Sequence, residues 1–374
     1  MSLHRSSTAA LVALLALAVL LGTSADDGGQ PIVARVSKDA STALYNIAIK
    51  VGGVPLLLDL AGPMLWLANC PTPHRIIPCV SHDCDDISTT YRPPGCPKPG
   101  LRGEGPCACP AYPRNPVDGR CRSDDATTIT LAANATDGQN PLYPVTFRAV
   151  GSCAPGELLE SLPAGAAGVA GLSRLPLSLP TQFKHPYNGG YYFGITGIAV
   201  NQQSVATPPG VFDLDAGSGT GGAVFSTVTP YTALRWDIYW PLRNAFDVAT
   251  SGIARADKVA PFDLCYQASA LTVTRVGYAV PSIELMLDGG RNWTLPGASS
   301  LVQVNNNTVC FAFVQMASSM PAAVDSPAVI LGGHQMENNL LMFDLVKETF
   351  AFSGLLLGIR TTCSNFNFTM GSSY

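Results

Sequence analysis

The stretch Leu56-Leu57-Leu58-Asp59-Leu60-Ala61-Gly62-Pro63 sets a single carboxylate directly after one apolar run and just before another, Met64-Leu65-Trp66. A similar pattern recurs at Ala223-Val224-Phe225-Ser226-Thr227-Val228-Thr229-Pro230, with an apolar triplet, a polar residue, and proline four positions on. Each copy is followed, about equally far downstream, by an apolar pair and glycine, at Gly168 to Leu172 and at Val329 to Gly333. Such repetition implies two related lobes whose loops face each other. Asp59 then stands opposite Ser226.

That pairing matters chemically. Two carboxylates about 3 Å apart cannot both ionise, so they share a proton and supply one acid and one base. A carboxylate and a hydroxyl cannot, because serine has no titration near neutrality. A water held between these loops loses the acid half of the assistance, worth ~10²- to 10⁴-fold for each group.

The chain has 374 residues, long enough for two lobes with their own cores at about 100 to 200 residues per domain. Its first residues carry His4 and Arg5, an apolar run from Ala9 to Leu21, and then Thr23-Ser24-Ala25. This is the layout of a cleaved secretory leader, so a signal peptide is expected over 1–25. The run is shorter than the ~20 residues of a membrane span, and no membrane anchor is expected. Only 13% of residues are charged and the formal net charge is -4, which leaves no basic surface for nucleic acid. Eleven cysteines in an exported chain read as a disulfide framework. Zinc at Cys107-Ala108-Cys109 or between Cys79 and Cys84 is the weaker reading, since neither has paired CxxC knuckles and the five histidines are scattered. No metal or cofactor is expected. Sequons at Asn134, Asn292, Asn306 and Asn367 fit an exported surface.

Short β-branched or aromatic runs punctuated by Gly, Pro and Asn dominate, among them ALYNIAIKVGG, TITLAAN, YPVTFRAV, YYFGITGIAV, SIELMLDGG and TFAFSG. They predict a mostly β protein. Short helices are expected only around PLSLPTQF and WDIYWPLRNAFDVA. The span from Cys70 to Cys121, with seven cysteines and almost no strand pattern, reads as a disulfide-stapled excursion within a lobe.

Taken together, LLLDLAGPMLWLANC, GVAGLSRLPLSLPTQF, YYFGITGIAV, PFDLCY, YAVPSIELMLDGG and AVILGGHQMENNLLMFDL resemble the plant pepsin-like aspartic proteases. They resemble more closely the secreted inactive relatives of those enzymes, the TAXI-type xylanase inhibitors. The resemblance implies an all-β, bilobal pepsin-like fold with a disulfide-rich insertion in the N-terminal lobe and a shortened lobe junction. It places the lobes at 26–183 and 191–374. Where active members have Asp-Thr-Gly-Ser, this chain has Asp59-Leu60-Ala61-Gly62; where they have Asp-Ser-Gly-Thr, it has Ser226-Thr227-Val228-Thr229. The flap tyrosine position falls on Arg114. Relatives also place several dozen residues, one a cysteine, where Lys184 to Gly190 joins the lobes here. The lost cysteine accounts for the odd count and makes Cys153 the expected orphan.

For function, the resemblance implies inhibition of microbial endoxylanases of glycoside hydrolase family 11 by loops of the C-terminal lobe, with the protein acting as a monomer. The family's inhibitory histidine falls at Ile359, beside Arg360, and a second contact loop places Leu271 at the matching leucine. Two other outcomes stand beside this one. The first is a non-catalytic wall or storage globulin, or an inhibitor of xyloglucan-specific endoglucanases. The second is an endopeptidase that pairs Asp59 with Asp213 or Asp215.

Overall fold

The computed structural model describes residues 16–18, 32–51, 53–70, 75–81, 84, 87, 95–97, 107–136, 142–180, 191–215, 220–288, 290–316, 326–344 and 349–365. Strands dominate, as the short β-branched and aromatic runs predict.

In the N-terminal lobe one sheet runs in the spatial order Ala16–Ala18, Ile32–Lys38, Tyr45–Val51, Val54–Asp59, Gly168–Gly171, Leu65–Ala68, Tyr143–Ala154, Asp124–Ala135 and Pro110–Ala111. Asp124–Ala135 also pairs with Ile32–Lys38 and Tyr45–Val51, so the sheet rolls back on itself around an apolar interior. Ala16–Ala18, inside the expected leader, lies antiparallel to Ile32–Lys38 at the sheet's end. In the C-terminal lobe the central sheet has the order Tyr192–Phe193, Gly221–Phe225, Pro327–Leu331, Thr232–Leu234, Phe313–Gln315. Among the described residues, two four-stranded sheets and two hairpins, Val273–Thr274 with Gly277–Tyr278 and Leu341–Asp344 with Thr349–Phe352, complete that lobe.

The two halves of the repeat build the same motif. Val54–Asp59 runs parallel to Gly168–Gly171, with Leu57 opposite Val169 and Asp59 opposite Gly171, and Leu65–Ala68 flanks that strand antiparallel. Gly221–Phe225 runs parallel to Pro327–Leu331, with Val224 opposite Ile330, and Thr232–Leu234 flanks it antiparallel. These strands are buried on both faces, which is why their sequences are continuous apolar runs and not alternating ones.

The helix expected from WDIYWPLRNAFDVA spans Trp236–Ala249 and buries Ile238, Tyr239, Leu242 and Phe246 on one face. The other expected helix does not form over its described part: residues 176–180 are turns, held by the Ser178 hydroxyl donating to the Ser173 carbonyl. Pro176 and Pro180 withdraw two N–H donors from so short a segment, and the serine offers the backbone a competing bond.

Five disulfides replace the zinc reading and correct the expected orphan. Cys79 pairs with Cys107, Cys84 with Cys109 and Cys96 with Cys121, stapling the excursion internally. Cys70 pairs with Cys153, so Cys153 is not the odd cysteine. Leu65–Ala68 runs parallel to Tyr143–Ala154, setting Leu67 opposite Cys153 and carrying Cys70 to its partner. The fifth bridge joins Cys265 to Cys310 across neighbouring strands, and the cysteine outside these five is the buried Cys363.

The C-terminal lobe relies instead on aromatic packing: Phe193, Phe225, Trp293, Phe343, Phe350 and Phe352 form one continuous cluster. The lobes are clasped by Glu337, which accepts hydrogen bonds from the Tyr45 hydroxyl at 2.7 Å and from the Lys38 ammonium. Gly333 lies flat against the Tyr45 ring, where an added Cβ would come within 2.3 Å. Tyr191 completes the junction by donating to the Leu172 carbonyl at 2.8 Å.

Candidate functional site

Asp59 ends its strand and is buried at the foot of the cleft between the repeated loops. Its Oδ1 accepts the Ala61 N–H at 3.0 Å, and the backbone N–H of Gly62 also points at the carboxylate. Gly62 is required at that turn, because a Cβ would lie 2.8 Å from the Gly171 Cα and 2.9 Å from Asp59 Oδ2. Burial pushes the Asp59 carboxyl up to about 6, against the two backbone donors and the positive charge of Arg114, which pull it down.

Across the cleft, Ser226 occupies the equivalent strand end. Its N–H donates to the Leu331 carbonyl at 3.0 Å, and its hydroxyl pairs with that of Thr229 at 2.9 Å. Ser226 is as buried as Asp59 but brings no charge, so this floor carries one carboxylate. The alternative acids do not reach it from their strand: Asp213 and Asp215 are both exposed, ahead of Gly221–Phe225, and the backbone of Asp215 bridges to Thr220.

The loops are tied together from one side only. Thr227 donates its hydroxyl to the Leu58 carbonyl at 2.7 Å and accepts the Leu60 N–H at 3.2 Å, gripping both backbone groups that flank Asp59. Leu60, its counterpart in the repeat, is packed in the main apolar core. Leu60 stands where active members of the resembled family carry threonine, and the tie that Thr227 makes from the other loop was not singled out from the sequence. Thr227 was legible, since aligning LLLDLAGP on AVFSTVTP sets it opposite Leu60.

Above the floor, a reverse turn carries Arg114, which bridges to Cys121 and receives the Trp66 indole N–H on its carbonyl at 2.9 Å. The turn is anchored by Asn115, fully buried, whose amide donates to the Leu158 and Glu160 carbonyls and whose Oδ1 accepts the N–H groups of Val117 and Asp118. Arg114 itself is exposed, and its charge acts on Asp59.

The residues expected at an inhibitory loop separate by burial. Ile359 is 74% exposed. Arg360 follows it, exposed and in the left-handed backbone region at φ 61°, capping the short helix Leu356–Ile359. Leu271 is only 8% exposed and packs with the main core behind Cys265–Gln267, so its side chain supports its loop and does not project from it. Of the sequons, Asn292 and Asn306 are exposed, Asn134 is half-buried within a paired strand, and Asn367 lies outside the described residues.

Two lobes with one strand-crossing motif each, facing loops and a hairpin turn above them define a pepsin-like protein. Family models described as xylanase inhibitor N-terminal and xylanase inhibitor C-terminal match residues 45–196 and 190–354, and the chain belongs to that family. It is 41% identical to a rice (Oryza sativa subsp. japonica) protein named chitinase CLP, over 92% of this chain and 93% of that one. It is 29% identical to a Nicotiana benthamiana protein named "Probable aspartic proteinase GIP2", over 90% and 92%. Among solved structures it is similar to the crystal structure of edgp, with TM-score 0.78 and 30% identity, covering 90% of this chain and 98% of that one. A disulfide-stapled chain of this family belongs to the oxidising secretory route and is secreted.

Proposed function

We propose that the protein is a proteolytically silent member of its family that inhibits microbial family 11 endoxylanases with loops of its C-terminal lobe. One observation carries the first half: a lone carboxylate, Asp59, on a floor whose second position is Ser226. Peptide hydrolysis here needs one acid and one base acting on the same water, and the floor supplies only one titratable group.

Family membership supports the second half, together with the exposed pair Ile359 and Arg360. A glycoside hydrolase of the target class works with two carboxyl groups that flank the scissile bond. A guanidinium is permanently charged and engages a carboxylate through two parallel hydrogen bonds, which suits Arg360 to that gap. Leu271 then acts through the shape of its loop.

A titration of residual activity against family 11 xylanases and xyloglucan-specific endoglucanases tests the reading. Inhibition of the xylanases, weakened about thirtyfold by Arg360→Ala, is expected, since removing an interface anchor costs ~2 kcal/mol. Inhibition of the endoglucanases alone transfers the protein to that target, and inhibition of neither leaves a storage or wall globulin. Cleavage of denatured haemoglobin at pH ~3 to 5, abolished by Asp59→Asn, would overturn the silent-protease half.

A second reading, recognition of chitin, is favoured by the rice relative named a chitinase at 41% identity. Retention on colloidal chitin tests recognition, and release of soluble oligosaccharides tests whether it extends to hydrolysis.

A further inference from the structure

The four tryptophans divide sharply. Trp66 and Trp293 are fully buried, whereas Trp236 is 59% and Trp240 42% exposed. The exposed pair stands four residues apart on the helix Trp236–Ala249, and side chains at that spacing share one face a single turn apart. The same stripe continues through the exposed Asn244 to Val248, 75% exposed. The helix buries the opposite side on Ile238, Tyr239, Leu242 and Phe246. Its outward face therefore carries two indoles where a solvated helix ordinarily carries charge.

Trp240 is braced from below. Trp240 meets the ring of buried Tyr239 edge-on at 5.3 Å, and the Tyr239 hydroxyl donates to Asp263 at 3.1 Å. The charges beside the stripe are occupied with one another: Arg235 pairs with Asp237 at 2.8 Å, and Asp247 pairs with Arg243 at 2.9 Å and with Arg255. A strongly charged ligand finds no free counter-ion among these groups. The area is also small. An aromatic side chain presents about 150 to 250 Å² in all, so the exposed fractions of the two indoles come to roughly 200 Å². A stable protein interface needs ~800 Å² on each partner. The ledge is too small for a folded partner and suits a narrow, uncharged chain with flat apolar faces.

We propose that Trp236 and Trp240 form a docking ledge for a chitin chain, whose pyranose faces stack on the indoles. Chitin is preferred over an unsubstituted β-glycan because its acetamido methyl groups add an apolar contact that Val248 can receive. This deepens the chitin reading above and is independent of inhibition, since the ledge uses neither the cleft floor nor Ile359 and Arg360.

The test is retention of the purified full-length protein on colloidal chitin, microcrystalline cellulose and insoluble arabinoxylan. The wild type is expected to be retained best on chitin, and Trp236→Ala/Trp240→Ala to lose at least about tenfold in affinity, the scale of a lost aromatic anchor. Because Trp66 and Trp293 are buried, a soluble chitin hexamer added to the wild type should also shift tryptophan emission, a readout that needs no variant. Xylanase inhibition should be the same in the double variant, so the two readings fail separately. Absence of retention on chitin, undiminished retention of the double variant, or stronger retention on cellulose or arabinoxylan would overturn the proposal.

Discussion

The loop of the N-terminal lobe keeps its carboxylate, Asp59, and has a leucine where a hydroxyl would cross to the other lobe. In the C-terminal lobe the loop presents Ser226 at the matching strand end and carries the crossing hydroxyl, Thr227, which grips the backbone on both sides of Asp59. The two loops are complementary, one bringing the carboxylate and the other the tie. Geometry survives on one tie, because a single hydroxyl satisfies two buried backbone groups. A proton shared between two carboxyls needs a second carboxylate, and the loop opposite Asp59 presents the Ser226 hydroxyl. The lobes differ in the same spirit at larger scale: the N-terminal lobe is closed by four disulfides, and the C-terminal lobe by one and an aromatic cluster.

The most severe way to break this comparison is to unlock the N-terminal lobe. Removing the Cys70–Cys153 bridge with a double serine replacement opens a loop of 83 residues, expected to cost roughly 4 to 5 kcal/mol from chain entropy alone. Urea unfolding measures it, and a loss under ~1 kcal/mol would show that the staple is dispensable. Alkylation under denaturing, non-reducing conditions should leave Cys153 unlabelled.

Next comes the surviving tie. Thr227→Val keeps the shape, strands the Leu60 N–H and the Leu58 carbonyl, and is expected to cost about 2 to 3 kcal/mol. Leu60→Val, a packing change on the other side of the pair, should cost only about 1 kcal/mol. Equal costs would mean that the two positions are no longer functionally different.

Asp59 sharpens the comparison through pH. Its folded pKa, about 6, lies above the ordinary ~4, so the native state holds the proton more tightly than the unfolded chain. Stability from this group is full below pH ~4 and is lost as pH rises through 6. Asp59→Asn should therefore be more stable than the parent at pH 8, by about 2 kcal/mol, with the difference vanishing near pH 4. Thermal midpoints at the two pH values decide it.

The smallest expected effect has the opposite sign. Burial lowers the pKa of His334, while Glu337 and the bond to the Leu301 carbonyl raise it and Lys38 lowers it further. Stability from this residue is present above the unfolded value near 6.5 and is lost as pH falls through the lowered folded value. His334→Gln should flatten the acid side of the stability profile and leave the alkaline side unchanged.

Most strands were legible in the sequence because buried apolar runs punctuated by Gly and Pro have few other readings. The helix Trp236–Ala249 was legible for the same reason, its apolar residues recurring at helical spacing. The repeat gave the facing loops, and with them Asp59 and Ser226. The partner of Cys153 was not legible, because many pairings of eleven cysteines are compatible with one spacing and the resemblance made Cys153 the orphan. Nor was the clasp of Lys38 and Tyr45 on Glu337, since residues about 300 positions apart leave no local signal.

The parallel strand Gly168–Gly171 lies between Val54–Asp59 and Leu65–Ala68, two strands joined by the short loop that carries Asp59. During synthesis the outer two therefore emerge about a hundred residues before the strand that must enter between them. Cys70 likewise emerges 83 residues ahead of its partner Cys153, with Cys79 and Cys84 following it out in the interval. Two other thiols are therefore within reach of Cys70 before its native partner exists, so any bond made in that interval has to be undone by thiol–disulfide exchange before the native one can form.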